Sequence, residues 1–393
     1  MNKTKALGNS AIVLYFIIGL EIMIMISPSA GFFYSVFNPF LLAIAKYPST
    51  KWLSSFFLPH MVVPPDDFLK FIRIMGSALF VLGMAVFFVC AFQVYANKFL
   101  KKGTALKGLY SIIRHPQYVG LGIAGIGLSI LWPRFLVPVL WLVMVLLYFF
   151  LSKDEERRML KQYPDTYRAY MEKTGMFLPR NLEKIVLPDS AAGKFAVFVL
   201  LAGLTIGGAF FLRDYTVKHL PLWSDSNVSA LAIVPDDLMK MEHRLPDILA
   251  MDGIKTRLRE GDHYLVYFLP ANYIMQGLIA DTGGDWRLYK QHHTVSMITD
   301  WIFHPFRHLT EGHHAMHGAS GHSGHDMSAG VVRRLVFLKI EGTPVNNPWG
   351  LLSINAVRRP QFMADVEIHG LNLLEVKDLP QDTGWGTVPT PVF

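Results

Sequence analysis

Between residues 118 and 151 the only charged side chain is Arg134, which with Pro133 makes a corner between two apolar runs. A bilayer core about 30 Å thick is crossed by about 20 apolar residues in a helix. Inside it every backbone polar group must be bonded within the protein, so such runs fold as helices. The runs 118–132 and 135–151 are short and read as a tight helical hairpin. Three more candidate spans lie at 11–33, 71–95 and 195–212. The run at 11–26 follows Lys3 and Lys5 like a signal peptide, but the apolar, aromatic sequence after it favours an uncleaved first span. The expected fold is an α-helical integral membrane domain of about five transmembrane helices, residues 1–212. A mixed α/β soluble domain, residues 213–393, follows.

Charge agrees with this division. Only 17% of the residues are charged, against about 25% in soluble domains. The net charge of +7 is concentrated beside the apolar runs, which argues against a nucleic-acid partner. Lys98, Lys101, Lys102, Lys107 and Arg114 fill the 98–116 loop without an acidic residue, and 153–194 is also rich in Lys and Arg. Cytoplasmic loops carry such an excess. The N-terminus and both basic segments are therefore expected in the cytoplasm. Five spans then put residues 213–393 in the periplasm of a bacterial inner membrane. Cys90 is the only cysteine, so neither a disulfide framework nor a thiolate metal site can form.

Smaller features complete the outline. Prolines break the apolar 37–65 stretch, which reads as interfacial or re-entrant. Met159, Leu160, Tyr163, Tyr167 and Tyr170 recur near helical spacing, and Pro164 divides them into two short surface helices. Strands are expected at 263–269 and 334–340. A helix is expected over 236–252, its start capped by acidic residues.

The chemistry gathers at the ends of the hairpin. Gly108, Tyr110, Arg114, His115, Pro116, Tyr118 and Gly120 precede it or open it; Glu155, Glu156, Tyr167 and Tyr170 follow it. Ionisable groups beside hydrocarbon are costly and mark functional sites. Folding back brings cations and carboxylates face to face, an arrangement able to clamp a zwitterion.

This pattern resembles the isoprenylcysteine carboxyl methyltransferase and phospholipid methyltransferase superfamily of integral membrane enzymes, over residues 102–179. The resemblance implies S-adenosylmethionine (SAM) in a cytoplasm-facing pocket and a lipid-like acceptor arriving from the bilayer. It implies cofactor contacts from Lys102, Gly103, Thr104, Ala105, Tyr110, His115, Pro116, Gln117, Tyr118 and Glu155. Arg114 and Glu156 are the candidate catalytic residues, with Glu156 or His115 available to take an acceptor proton. Three positions depart from the family: Lys102 stands where histidine is frequent, Tyr163-Pro164 replaces Phe-Gly, and Leu151 replaces the arginine assigned to a prenylcysteine carboxylate. The last change favours a small, apolar acceptor.

Two other readings stand beside this one. Membrane sterol reductases also pair Arg-His-Pro-x-Tyr with later acidic residues, but use NADPH. Alternatively the membrane part is a non-catalytic anchor, and the outer domain handles metal or docks on a membrane complex. His313, His314, His317, His322 and His325 lie among Gly, Ser and Ala in 311–328. Imidazoles in such tracts suit Cu, Zn or Ni.

Overall fold

The computed structural model describes residues 44, 46–59, 66–100, 106–271, 332–341 and 348–379. The expected first span (11–33), the loop residues Lys102, Gly103, Thr104 and Ala105, and the histidine tract 311–328 lie outside them. The chain forms two compact units.

The first unit holds residues 75–132 and 136–208 of the described chain. Its helices are α1 (Asp67–Phe99), α2 (Pro116–Leu131), α3 (Leu136–Gln162), α4 (Pro164–Lys173), α5 (Arg180–Val186) and α6 (Ala191–His219). Among the described residues α1, α3 and α6 are long and apolar enough to cross a membrane, and α2 is shorter. At 16 residues α2 extends about 24 Å, under the usual core thickness. The described residues thus hold three helices of spanning length; of the other two expected spans, 118–132 is the shorter α2 and 11–33 lies outside the described residues.

Glycine sets the packing of α2 against α1. A Cβ on Gly83 would lie 2.3 Å from the Ala124 nitrogen, and one on Gly127 2.4 Å from the Phe80 nitrogen. One on Gly120 would lie 2.8 Å from the Gly83 oxygen. The two backbones meet directly, as small residues permit in membrane helices. On its other side α2 meets α3, where Trp141 Nε1 donates to the Gly122 carbonyl at 2.9 Å. Large apolar side chains such as Phe88, Phe92, Phe195 and Leu204 stay exposed, as lipid-facing residues do.

One expectation about this region needs correction. Residues 153–162 are not a separate surface helix but the last turns of α3, which runs unbroken to Gln162. Pro164 starts α4 at its first turn, where a missing N–H has no partner to lose.

The second unit holds 35–74, 133–135 and 209–393. Its centre is a mixed six-stranded sheet in the order β1-β2-β3-β4-β5-β6. The strands are β1 (Leu222–Asp225), β2 (Val228–Ala232), β3 (His263–Pro270), β4 (Val332–Glu341), β5 (Val357–Glu367) and β6 (Asn372–Asp378). Among the described strands only β2 and β3 pair in parallel. Their crossover carries α7 (Leu238–Leu249) and α8 (Asp252–Lys255), which a parallel connection requires. Met241, Leu245 and Ile248 of α7 pack on one face with Val266, Phe268 and Phe337. Leu265, Tyr267, Val336 and Leu338 face the other way, onto Leu220, Leu351 and Leu352. Both expected strands and the expected helix are present. Asp237 does not cap that helix; its buried carboxylate pairs with Arg333 at 2.7 Å and Lys240 at 3.0 Å.

The proline-broken stretch belongs to this unit. Phe57 donates its N–H to the Pro133 carbonyl at 2.8 Å, and Phe135 donates to Ser55 at 3.0 Å. The corner of the hairpin is thus clasped by a two-way backbone bridge. Arg134 is buried there, over the Phe56 ring at 4.1 Å.

Candidate active site

Three segments of the first unit converge at the start of α2. Gly108 opens a 3-10 turn (Gly108–Ser111) with φ of +64°, a conformation that glycine adopts without a Cβ penalty. Residues 113–115 then run beside 175–176: Arg114 N–H donates to the Gly175 carbonyl at 2.8 Å, and His115 N–H to Met176 at 3.1 Å. Pro116 occupies the first turn of α2. Its missing N–H leaves the buried helix start with one donor fewer to satisfy.

The turn after α4 is shaped by another carboxylate. Glu183 Oε2 accepts the N–H groups of Met176, at 2.5 Å, and Phe177, at 3.1 Å. A Cβ at Gly175 would fall 1.9 Å from the Leu178 oxygen, so this position admits only glycine. No feature of the sequence singled out Glu183 or Gly175, because a carboxylate that closes a turn on itself has no periodic signature.

Arg114 and Glu156 come together in the interior. Arg114 Nε donates to Glu156 Oε1 at 2.6 Å, with both side chains buried. Its Nη1 donates to the carbonyls of Met171, at 3.3 Å, and Thr174. A buried charge must be paired and fully hydrogen-bonded, and this arginine meets that demand by tying α3 to the end of α4.

His115 lies between the two glutamates. Its Nδ1 is 3.5 Å from Glu155 Oε2, and its Nε2 is 3.5 Å from Glu156 Oε1. Burial disfavours the imidazolium, but the two carboxylates outweigh that and hold the His115 pKa above its ordinary value. Glu156 is buried, while Glu155 keeps 41% of its side-chain surface exposed. The His115 ring stacks on Tyr118 at 5.7 Å between centroids, and Tyr118 stacks on Tyr148 at 4.7 Å.

The tyrosines complete the frame. Tyr110 Oη donates to Gln117 Oε1. Tyr170 Oη donates to the Tyr110 carbonyl at 2.5 Å, and Tyr167 is buried. Burial pushes both Tyr110 and Tyr170 upward, Tyr170 to about 12, so these phenols are neutral donors. The structure therefore brings Tyr110, Arg114, His115, Pro116, Gln117, Tyr118, Glu155 and Glu156 into one place.

Residues 72–166 match the phospholipid methyltransferase family. This family belongs to the isoprenylcysteine carboxyl methyltransferase-like superfamily. No curated protein and no solved structure matches the chain. The phospholipid methyltransferase segment begins in α1 and ends in α4, so it contains Arg114, His115 and both glutamates. The segment that matches this family thus includes helices apolar enough to cross a membrane.

The residues present fit the donor that such a domain implies. The buried Ser152 Oγ has no hydrogen-bond partner among the described residues, and His115 Nε2 has only the Glu156 carboxylate at 3.5 Å. Ser152 lies one turn before Glu156, on the same helical face. Beside it Leu151, in place of the family's arginine, packs into the apolar cluster of Tyr118, Trp141 and Tyr148. The unpartnered Ser152 hydroxyl and the half-open Glu155 carboxylate suit a cationic ligand. Among the described residues no group of three or more His, Cys, Asp or Glu is placed to hold a metal.

Proposed function

We propose that this protein is an integral membrane methyltransferase dependent on SAM, acting on a small apolar or lipid-like acceptor from the bilayer. The observation that carries the reading is His115 held between Glu155 and Glu156, inside the segment matched to the methyltransferase family. Bound there, SAM supplies an electrophilic methyl group on a sulfonium, a reaction that needs alignment and exclusion of water more than a nucleophilic side chain.

Each residue then has a part. Glu155 holds the cofactor's polar groups, and the buried Tyr118–Tyr148 stack fixes the His115 ring beside it. Tyr110 and Gln117 fix each other and border the cofactor. Arg114 and Glu156 are positioning residues, since each satisfies the other. Where the acceptor carries a proton, Glu155 is the better base, because Glu156 is committed to Arg114. Leu151 leaves the acceptor's side without a cation, which favours an uncharged substrate over a prenylcysteine carboxylate.

The site faces the cytoplasm of a bacterial inner membrane in this reading, and residues 213–393 form the periplasmic domain. The test is equilibrium binding of labelled SAM and of NADPH to the purified full-length protein. SAM binding that is lost in Glu155→Gln supports the assignment, and NADPH binding in its place points to a reductase.

A further inference from the structure

The first unit also contains a pocket rich in arginine that adjoins Arg114. It has a volume of 420 Å³ and is lined by Arg114, Leu160, Arg168, Met171, Glu172 and Arg180. That size lies within the range of about 300–1,000 Å³ for small-ligand sites. Arg114 is neutralised by Glu156, but Arg168 and Arg180 form no ion pair among the described residues. Arg180 spends one N–H on the Met171 carbonyl at 3.1 Å. Glu172, four residues after Arg168 on α4, pairs with neither arginine.

We infer that this pocket binds a phosphate ester. Guanidinium groups favour carboxylates and phosphates through paired N–H donors. A carboxylate is filled by one planar fork, whereas a phosphate accepts from two forks arriving from different elements. Arg168 on α4 and Arg180 on α5 supply those forks. Leu160 and Met171 give the rest of the molecule an apolar wall, and the space exceeds what a bare phosphate ion occupies. The phosphate comes from a soluble ester or from a lipid headgroup at the membrane surface. The pocket shares Arg114 with the methyl-transfer site, but among the described residues the hydrogen bonds and ion pairs of His115 and Glu155 include none to Arg168, Glu172 or Arg180.

The test measures thermal unfolding of the full-length protein in neutral detergent, with inorganic phosphate against chloride at equal ionic strength. A second arm compares nanodiscs of phosphatidylglycerol with nanodiscs of phosphatidylcholine. The expected result is a saturable rise in Tm with phosphate, and an apparent affinity about tenfold weaker in Arg168→Gln or Arg180→Gln, the scale of one charge-assisted contact. A rise with phosphatidylglycerol alone, lost in the same variants, assigns the site to a headgroup. Arg168 is exposed and makes no hydrogen bond within the described chain, so Arg168→Gln keeps the fold should Arg180→Gln fail to fold. No rise in either arm, or an equal rise in Arg168→Gln, overturns the inference. Neither arm uses SAM, so failure here leaves the cofactor assignment where it was.

Discussion

Arg114 shows how one buried pair decides what its neighbours can do. Removing one partner of a buried ion pair costs about 3–5 kcal/mol, because the other charge is left uncompensated. Glu156→Gln should therefore destabilise the membrane domain by about that much in denaturant unfolding. Glu155→Gln, at a half-exposed position, should change stability little and act on ligand binding instead. His115 adds a pH dependence. Its pKa is raised in the folded protein above the ordinary 6.5. Its ion pairs therefore stabilise fully below pH 6.5, and that stability is lost as pH rises through the raised value. The Tm difference between the native protein and His115→Gln should be largest in acid and shrink toward alkaline pH. Much of this constellation was legible in the sequence, since ionisable residues at both ends of an apolar hairpin have little choice but to meet. The split between Glu155 and Glu156 was not legible. Adjacent helical residues point about 100° apart, and only the packing of α4 decides which one is buried.

At the level of elements, the glycines of α2 separate into two classes that sequence spacing alone does not distinguish. Gly120 meets the backbone of α1, and nothing among the described residues lies within 4 Å of a Cβ on Gly122. Gly120→Ala should force the helices apart and cost about 1–3 kcal/mol, as overpacking does. Gly122→Ala should be neutral or stabilising by up to about 1 kcal/mol, because alanine favours helix. Thermal unfolding of the two variants side by side checks this. Gly120 belongs to the motif that suggested the cofactor site, yet its place in the structure is explained by helix packing. The apolar runs revealed the spanning helices because hydrophobic length is a local property. The continuation of α3 through Gln162 was hidden, because the proline that breaks the pattern lies beyond its end. Of the strands, β3 and β4 were found from β-branched and aromatic content, whereas β1, β2, β5 and β6 were not, and burial on both faces was not read from the sequence. That follows from the helices and the 348–352 turn that cover them.

At the scale of the whole molecule, the proposed topology puts the site and the sheet domain on opposite sides of the membrane, with α6 as the crossing between them. Cys90 is buried, so single cysteines introduced at exposed Lys161 and Glu260 give clean reporters. An impermeant maleimide applied to intact cells should label Glu260→Cys and spare Lys161→Cys, and inverted vesicles should reverse the pattern. Under the proposed function, the ends of the hairpin close around a sulfonium donor. The most direct measurement is equilibrium binding of labelled SAM to the full-length protein in detergent, with NADPH as competitor. The account predicts saturable SAM binding that NADPH does not displace and that falls at least about tenfold in Glu155→Gln, on the scale of one lost charge-assisted contact. Absence of SAM binding to the folded native protein, or full binding retained in that variant, contradicts it.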